Sequence, residues 1–148
     1  MFARKWLGLA TSLFAAVLLT GCSSPAPTGP TVQTNADVSG VWAPAGATSG
    51  GWRLVQRGTS VEGTSLPDPS AEYPSTTTLT GTVSGSQFSF SGMIVQTRPD
   101  DEYRTAIGGT LTVAAGTMSG LVSSQPQPPH STRGATGPMT YVRVVAGS

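Results

Sequence analysis

A chain of 148 residues, with 19 glycines, 12 prolines and only 10% charged residues, has the length of one domain and a composition that favours strands and tight turns over helices. Its single cysteine excludes an intrachain disulfide and any metal site built from several cysteines. A formal charge of +1 offers no basic patch for phosphates, so we expect no nucleic-acid partner.

Residues 1–21 have the organisation of a signal peptide. Arg4 and Lys5 form a short positive region, and the fourteen residues from Trp6 to Leu19 carry no charge. A permanent membrane-spanning helix needs about 20 apolar residues, so this stretch is short for a span. The alternatives are an ordinary secretory signal and an N-terminal membrane helix, and either would make the cysteine that follows incidental.

The residues that end this segment, Leu19-Thr20-Gly21-Cys22, resemble the lipobox of bacterial lipoproteins. The resemblance implies that the Cys22 sulfur receives a diacylglyceryl group and that a peptidase cuts between Gly21 and Cys22. The mature protein would then be anchored to a membrane through its N-terminal lipid, on the extracytoplasmic side of the cell envelope. Serines at 23 and 24, directly after the cysteine, would permit export to the outer membrane if the organism has one.

Residues 22–38 contain three prolines and almost no large apolar side chain, which favours an extended, solvated chain. Its expected role is spacing. We therefore predict three parts: a lipoprotein signal peptide over 1–21, a lipidated cysteine with a flexible linker over 22–38, and a β-barrel domain over 39–148.

From residue 39 onward, short runs alternate apolar with small polar residues, as strands with one buried face do. Glycine-containing turns at 57–60, 84–86 and 114–116 join these runs into three hairpins, because glycine readily adopts the positive φ of tight turns. A first strand around 40–42 and a last over 139–145 complete the set. The prediction is all-β: an eight-stranded antiparallel up-and-down meander that closes into a barrel.

Connections between the predicted strands differ at the two ends of the barrel. The three hairpin turns lie at one end, and longer links over 43–50, 67–75, 97–104 and 125–137 lie at the other. We therefore expect one closed end and one open mouth.

On the first strand, Gly40-Val41-Trp42 resembles the Gly-x-Trp motif of lipocalins and avidins, the calycin-like barrels. The resemblance implies a basic residue on the last strand that packs over this tryptophan, and Arg143 stands at the expected place. We interpret Trp42 and Arg143 as a barrel-closing pair in preference to a ligand contact, because both lie near the ends of the domain.

Tyrosines and charged residues recur in the predicted mouth loops, where binding residues are often found. The candidate binding rim comprises Glu72, Tyr73, Asp101, Tyr103, Arg104 and Arg133, with ordinary loop polarity as the alternative. We expect no catalytic site, metal or cofactor. The only histidine, His130, lies in a proline-rich stretch, and the acidic run 100–102 lacks the spacing of a calcium loop.

Two functions are compatible with this pattern. In the first, a non-catalytic barrel binds a small apolar or amphipathic ligand in its interior. In the second, a filled barrel uses its rim loops to hold a protein partner, an envelope component or a secreted enzyme that it inhibits. The bulk of the inward side chains decides between these two functions. Large side chains that could fill the interior are Trp52, Leu54, Phe88, Phe90, Ile107, Leu111 and Met118. Glycines that would leave space are Gly63, Gly81, Gly92, Gly109 and Gly120.

Overall fold

The computed structural model of the protein describes residues 34–47, 49–130 and 133–145. The predicted signal peptide, the lipobox with Cys22 and most of the predicted linker therefore lie outside the described residues. Within the described residues, no helix has the length and apolar character needed to cross a membrane.

Eight antiparallel strands follow one another along the chain, and each pairs with the next. The last strand pairs with the first and closes the barrel. This confirms the predicted all-β, up-and-down, eight-stranded architecture. The strands are β1 (Gly40–Pro44), β2 (Trp52–Arg57), β3 (Ser60–Ser65), β4 (Ser75–Ser84), β5 (Gln87–Arg98), β6 (Asp101–Ala114), β7 (Thr117–Pro126) and β8 (Ala135–Val144).

Three two-residue turns lie together at one end of the barrel, which we call the turn end. They join β2 to β3, β4 to β5 and β6 to β7, at the positions predicted from the glycines. Gly58 and Gly85 have φ values of 63° and 57°, and the third turn places Ala115 and Gly116 at 44° and 80°. Left-handed backbone in these turns matches the twist of the flanking strands, so the three hairpins are confirmed.

At the opposite end, which we call the mouth, one predicted connection is wrong. The link expected over 97–104 is a tight turn of Pro99 and Asp100, because β5 and β6 stay paired through Thr97 with Glu102 and Arg98 with Asp101. Charged residues continue both strands here because alternate side chains on a protruding hairpin can point to solvent. The other three mouth connections are longer, as expected.

The N-terminal segment from Asn35 to Val38 packs against the turn end, although the sequence placed it in the linker. Ala36 N–H donates to the Gly85 carbonyl at 2.7 Å, and Gly85 N–H donates to Asn35 Oδ1 at 2.8 Å. Val38 is fully buried, and its N–H donates to Gln56 Oε1 at 2.8 Å. The folded domain therefore begins before residue 39.

The half of the barrel nearest the turn end is filled. Its fully buried side chains are Val38, Trp42, Leu54, Val61, Val83, Phe88, Leu111 and Met118. Inward glycines do not leave room here, contrary to the expectation for Gly63, Gly81, Gly92, Gly109 and Gly120. A Cβ at Gly120, for example, would collide with the carbonyl of Thr110 on the next strand. These glycines let neighbouring strands approach closely, and a Cβ at any of them would collide with a backbone or side-chain atom of a neighbouring residue.

Candidate functional site

The half of the barrel nearest the mouth is hollow. A cavity of about 370 Å³ lies there, and we call it the cup. Its wall comes from the inward faces of β2, β5, β6, β7 and β8, and its small lining residues are Ser124, Ala135 and Gly137. The large apolar and aromatic lining residues are Trp52, Ile94, Ile107, Val122, Met139 and Tyr141.

An aromatic layer forms the floor of the cup, next to the filled half. The Trp52 ring stacks on Tyr141 with centroids 4.4 Å apart and an interplanar angle of 25°. Phe90 meets Trp52 edge to face at 5.1 Å. Such contacts fix the rings beyond what area burial provides. Burial raises the pKa of Tyr141 to about 12, so its phenol is neutral at physiological pH.

The cup is not sealed from solvent. Met139 is 37% exposed although its side chain lines the cavity. A Cβ added to Gly137 would meet no atom within 4 Å, in contrast to the crowded glycines of the filled half. The space is therefore open to a ligand and is not a packing gap closed by neighbouring side chains.

At the mouth end of β5, Arg98 contacts two tyrosine rings. Its guanidinium carbon lies 5.3 Å from the ring centroid of Tyr73 and 5.2 Å from that of Tyr103. Its Nε and Nη2 both donate to Gln96 Oε1, at 3.1 and 2.9 Å. The tyrosines come from the β3–β4 loop and from β6, so Arg98 ties the protruding β5–β6 hairpin to a mouth loop.

The same hairpin is tied to the β7–β8 loop by His130. The imidazole ring lies 5.2 Å from the Tyr103 ring, and its Nε2 lies against the Asp101 carboxylate. The backbone joins the loop to the hairpin as well, because Gln127 N–H donates to the Arg104 carbonyl at 2.8 Å. We call Tyr73, Arg98, Asp101, Tyr103 and His130 the rim cluster.

Half of the predicted rim residues belong to this cluster. Tyr73, Asp101 and Tyr103 are brought together, although Asp101 and Tyr103 lie on β6 and not in a loop. Arg104 lies on the outer face of the hairpin, where its Nε donates to Glu102 Oε1 at 2.7 Å. The Arg104 side chain is therefore not part of the rim cluster.

The remaining two predicted rim residues, Glu72 and Arg133, are exposed on neighbouring loops outside the cluster. Sequence reasoning missed Arg98 as a site residue and interpreted His130 as solvated. The inward alternation of β5, followed from Phe88 through Ile94, reaches Arg98 and is the signal that would have identified it.

Trp42 and Arg143 meet at the opposite end of the barrel. They are direct cross-strand neighbours in β1 and β8, with the guanidinium carbon 4.9 Å from the indole centroid. Trp42 Nε1 donates to the Val38 carbonyl at 2.8 Å. Arg143 donates to the Asp37 carbonyl and pairs with its carboxylate at 3.5 Å. The pair therefore joins the barrel seam to the N-terminal segment, away from the cup.

Asp37 is itself held in its ionised form. The backbone N–H of Ser39 lowers the pKa of this carboxyl most, and burial opposes this shift. The Ser39 hydroxyl and then Arg143 lower the pKa further. Within the described ranges, no three histidine, cysteine or carboxylate side chains are grouped so that they could hold a metal ion.

Comparison with known proteins gives no further guide. Neither a protein-family model, nor a curated protein, nor a solved structure shows a significant match to this chain. The geometry of the cup and of the rim cluster is therefore what supports a functional proposal.

Proposed function

We propose that the protein is a membrane-anchored extracytoplasmic lipoprotein whose non-catalytic barrel binds a small apolar or amphipathic ligand in the cup. The observation that carries the binding proposal is the cavity of about 370 Å³ with its apolar wall. Ligand sites in proteins are concavities of roughly 300–1,000 Å³, lined mainly by apolar and aromatic side chains with a few polar groups.

Burial of a ligand in the cup is favoured by the surfaces that it would cover. The wall presents Ile94, Val122 and Met139, which are only partly buried in the free protein. Each Å² of apolar surface removed from water contributes about 25 cal/mol. The polar groups available are few, chiefly the Ser124 hydroxyl and the Tyr141 phenol, so an apolar ligand part fits this wall best.

The lining also favours binding over catalysis. Its nine residues include no histidine, carboxylate or cysteine. Its one ionisable group, Tyr141, has a pKa raised by burial to about 12 and stays neutral near pH 7, so it is a poor general base. The alternative function, a protein-binding rim on a filled barrel, is disfavoured because the interior is filled only in its lower half.

Membrane attachment rests on the sequence alone. The proposal places the acyl groups on Cys22 and the barrel in the cell envelope, at the outer membrane where the organism has one. A Cys22→Ala chain is expected to remain unprocessed or to leave the membrane fraction. Cofractionation and unchanged migration of this variant with the wild-type protein would refute the anchor.

Methionine-methyl NMR tests the cup directly. The chain has four methionines, of which Met139 lines the cup, Met93 lies outside it on β5 and Met118 is buried in the filled half. The protein carrying Cys22→Ser, which lacks the acylated sulfur, would be labelled at its methionine methyls and titrated with octanol. We expect the Met139 signal to shift and the Met93 signal to stay.

Two variants on adjacent positions of β8 provide the matched control. Gly137→Leu puts a side chain into the cup, and Thr136→Leu puts the same side chain on the outer face. Gly137→Leu is expected to abolish the shift of Met139, and Thr136→Leu to preserve it. Equal responses of Met93 and Met139, or no response at all, would contradict ligand binding in the cup.

A further inference from the structure

A gradient of polarity leads from the cup to the rim along the paired strands β5 and β6. The inward residues of β5 run from Ile94 through Gln96 to Arg98. Over these four residues the strand rises by about 13 Å, at roughly 3.3 Å per residue. On β6 the residues paired with these three are Thr105, Tyr103 and Asp101. The apolar wall is thus continued by an amide, a hydroxyl and a phenol, and it ends in one cation and one carboxylate.

The cation at the end of this gradient lacks an anionic partner. Within the described residues, Arg98 forms no ion pair, although Asp101 is its direct cross-strand neighbour. Asp101 turns to His130, Glu102 pairs with Arg104 on the outer face, and Asp100 lies exposed in the turn. The contacts that Arg98 does make are neutral: the Gln96 amide and two tyrosine rings.

The guanidinium also keeps N–H donors for a ligand. Of the five N–H groups of arginine, two are used by Gln96 Oε1, from Nε and Nη2. Nη1 and the second hydrogen of Nη2 form the edge that receives a carboxylate in bidentate fashion. Contacts with the Tyr73 and Tyr103 rings restrain the guanidinium, which reduces the conformational freedom lost on binding.

We propose that the ligand of the cup is an amphipathic anion, with its apolar tail against the wall of the cup and its carboxylate on Arg98. This inference rests on the proposed function and names the ligand class of the same site. Gln96 and the two tyrosines position the guanidinium, and the interval between Ile94 and Arg98 sets the length of tail that reaches the cup. Arg98 thereby selects for negative charge at the mouth.

Three probes that share one tail and differ in their head group test this inference: octanoate, octanol and octylammonium. Binding would be followed by the Met139 methyl signal and by calorimetry on the Cys22→Ser protein. We expect octanoate to bind at least about fivefold more tightly than octanol, and octylammonium to bind most weakly, as a charge-assisted contact requires.

The decisive variant is Arg98→Gln, with Arg104→Gln as its matched control on the outer face of the same hairpin. Arg98→Gln is expected to weaken octanoate about tenfold and to leave octanol within about twofold. Arg104→Gln removes the same charge and is expected to change neither affinity. Arg98→Lys, which keeps the charge but lacks the planar fork, should recover only part of the loss.

The failure of this inference is distinguishable from that of the proposed function. If octanoate and octanol shift Met139 with equal affinity, or if Arg98→Gln and Arg104→Gln weaken octanoate alike, selection by Arg98 is overturned while binding in the cup stands. If none of the three probes shifts Met139, the proposed function itself falls, and this inference with it.

Discussion

Arg143 lies directly over Trp42 across the seam between the last and first strands, with the guanidinium carbon 4.9 Å from the indole centroid. Only four residue pairs join these two strands, so the seam is short. The same guanidinium binds the carbonyl and the carboxylate of Asp37, in the segment that crosses the turn end. The Arg143 side chain thus connects the seam that closes the barrel to the N-terminal segment.

Removal of this connection should destabilise the barrel. Arg143→Met keeps an unbranched side chain but loses the cation–π contact and the bonds to Asp37, and we expect the free energy of unfolding to fall by about 1–2 kcal/mol. Arg53→Met, on the exposed outer face of β2, is the control and should change it by less than about 0.5 kcal/mol. Urea denaturation measures both, and equal effects would contradict the role of Arg143.

Packing of the N-terminal segment can be tested at Val38. Because this side chain is fully buried, Val38→Ala should lower the free energy of unfolding by about 2 kcal/mol. Val55→Ala makes the same chemical change at a side chain that is 47% exposed, and its effect should be much smaller. A flexible linker at residue 38 would instead make Val38→Ala silent in a denaturation experiment.

Two inward glycines on the neighbouring strands β7 and β8 should respond oppositely to alanine. At Gly120 the new Cβ collides with the Thr110 carbonyl, so Gly120→Ala should cost about 3 kcal/mol or more. Gly137 has open space beside it and no left-handed φ, so Gly137→Ala should be neutral or stabilise by about 0.4–1 kcal/mol through the unfolded chain. Thermal or urea unfolding of both variants measures these changes. A clear loss of unfolding free energy in Gly137→Ala would mean that the cup is not open.

Tyr141 should make the barrel sensitive to alkali. Burial raises the pKa of its phenol from 10.0 to about 12, so the fold favours the neutral form. The corresponding stability is complete below pH 10 and is lost as the pH rises towards 12, up to about 3 kcal/mol. In urea titrations at a series of pH values, Tyr141→Phe should remove most of this loss, whereas Tyr73→Phe, outside the core, should retain it.

Local sequence explains why the three hairpins at the turn end were predictable and the β5–β6 hairpin at the mouth was not. Gly58, Gly85 and Gly116 mark turns because the positive φ is a property of a few residues. The β5–β6 turn has no such glycine, and the charges at 100–102 suggested a loop. Charged residues remain compatible with a strand when the hairpin protrudes and its alternate side chains reach solvent.

The cup and the packed N-terminal segment depend on contacts between distant parts of the chain. Nothing around Val38 distinguishes it from a linker residue until its carbonyl accepts the Trp42 indole N–H. Likewise, the sequence left open whether Trp52 and its neighbours fill the interior; the Trp52 ring stacks on Tyr141, and a cavity remains beside it. The volume of the cup depends on the directions of side chains from five strands. The alternation of apolar and polar residues along each strand does not by itself determine these directions.

Native mass spectrometry of the protein purified from its own envelope tests the central claim most directly, because it shows whether the cup holds a small molecule. We expect the folded wild-type protein to carry an additional small mass that denaturation releases, and expect Thr136→Leu to carry it too. Gly137→Leu should lack it. An unliganded wild-type mass, or the same adduct on Gly137→Leu, would contradict a ligand-binding cup.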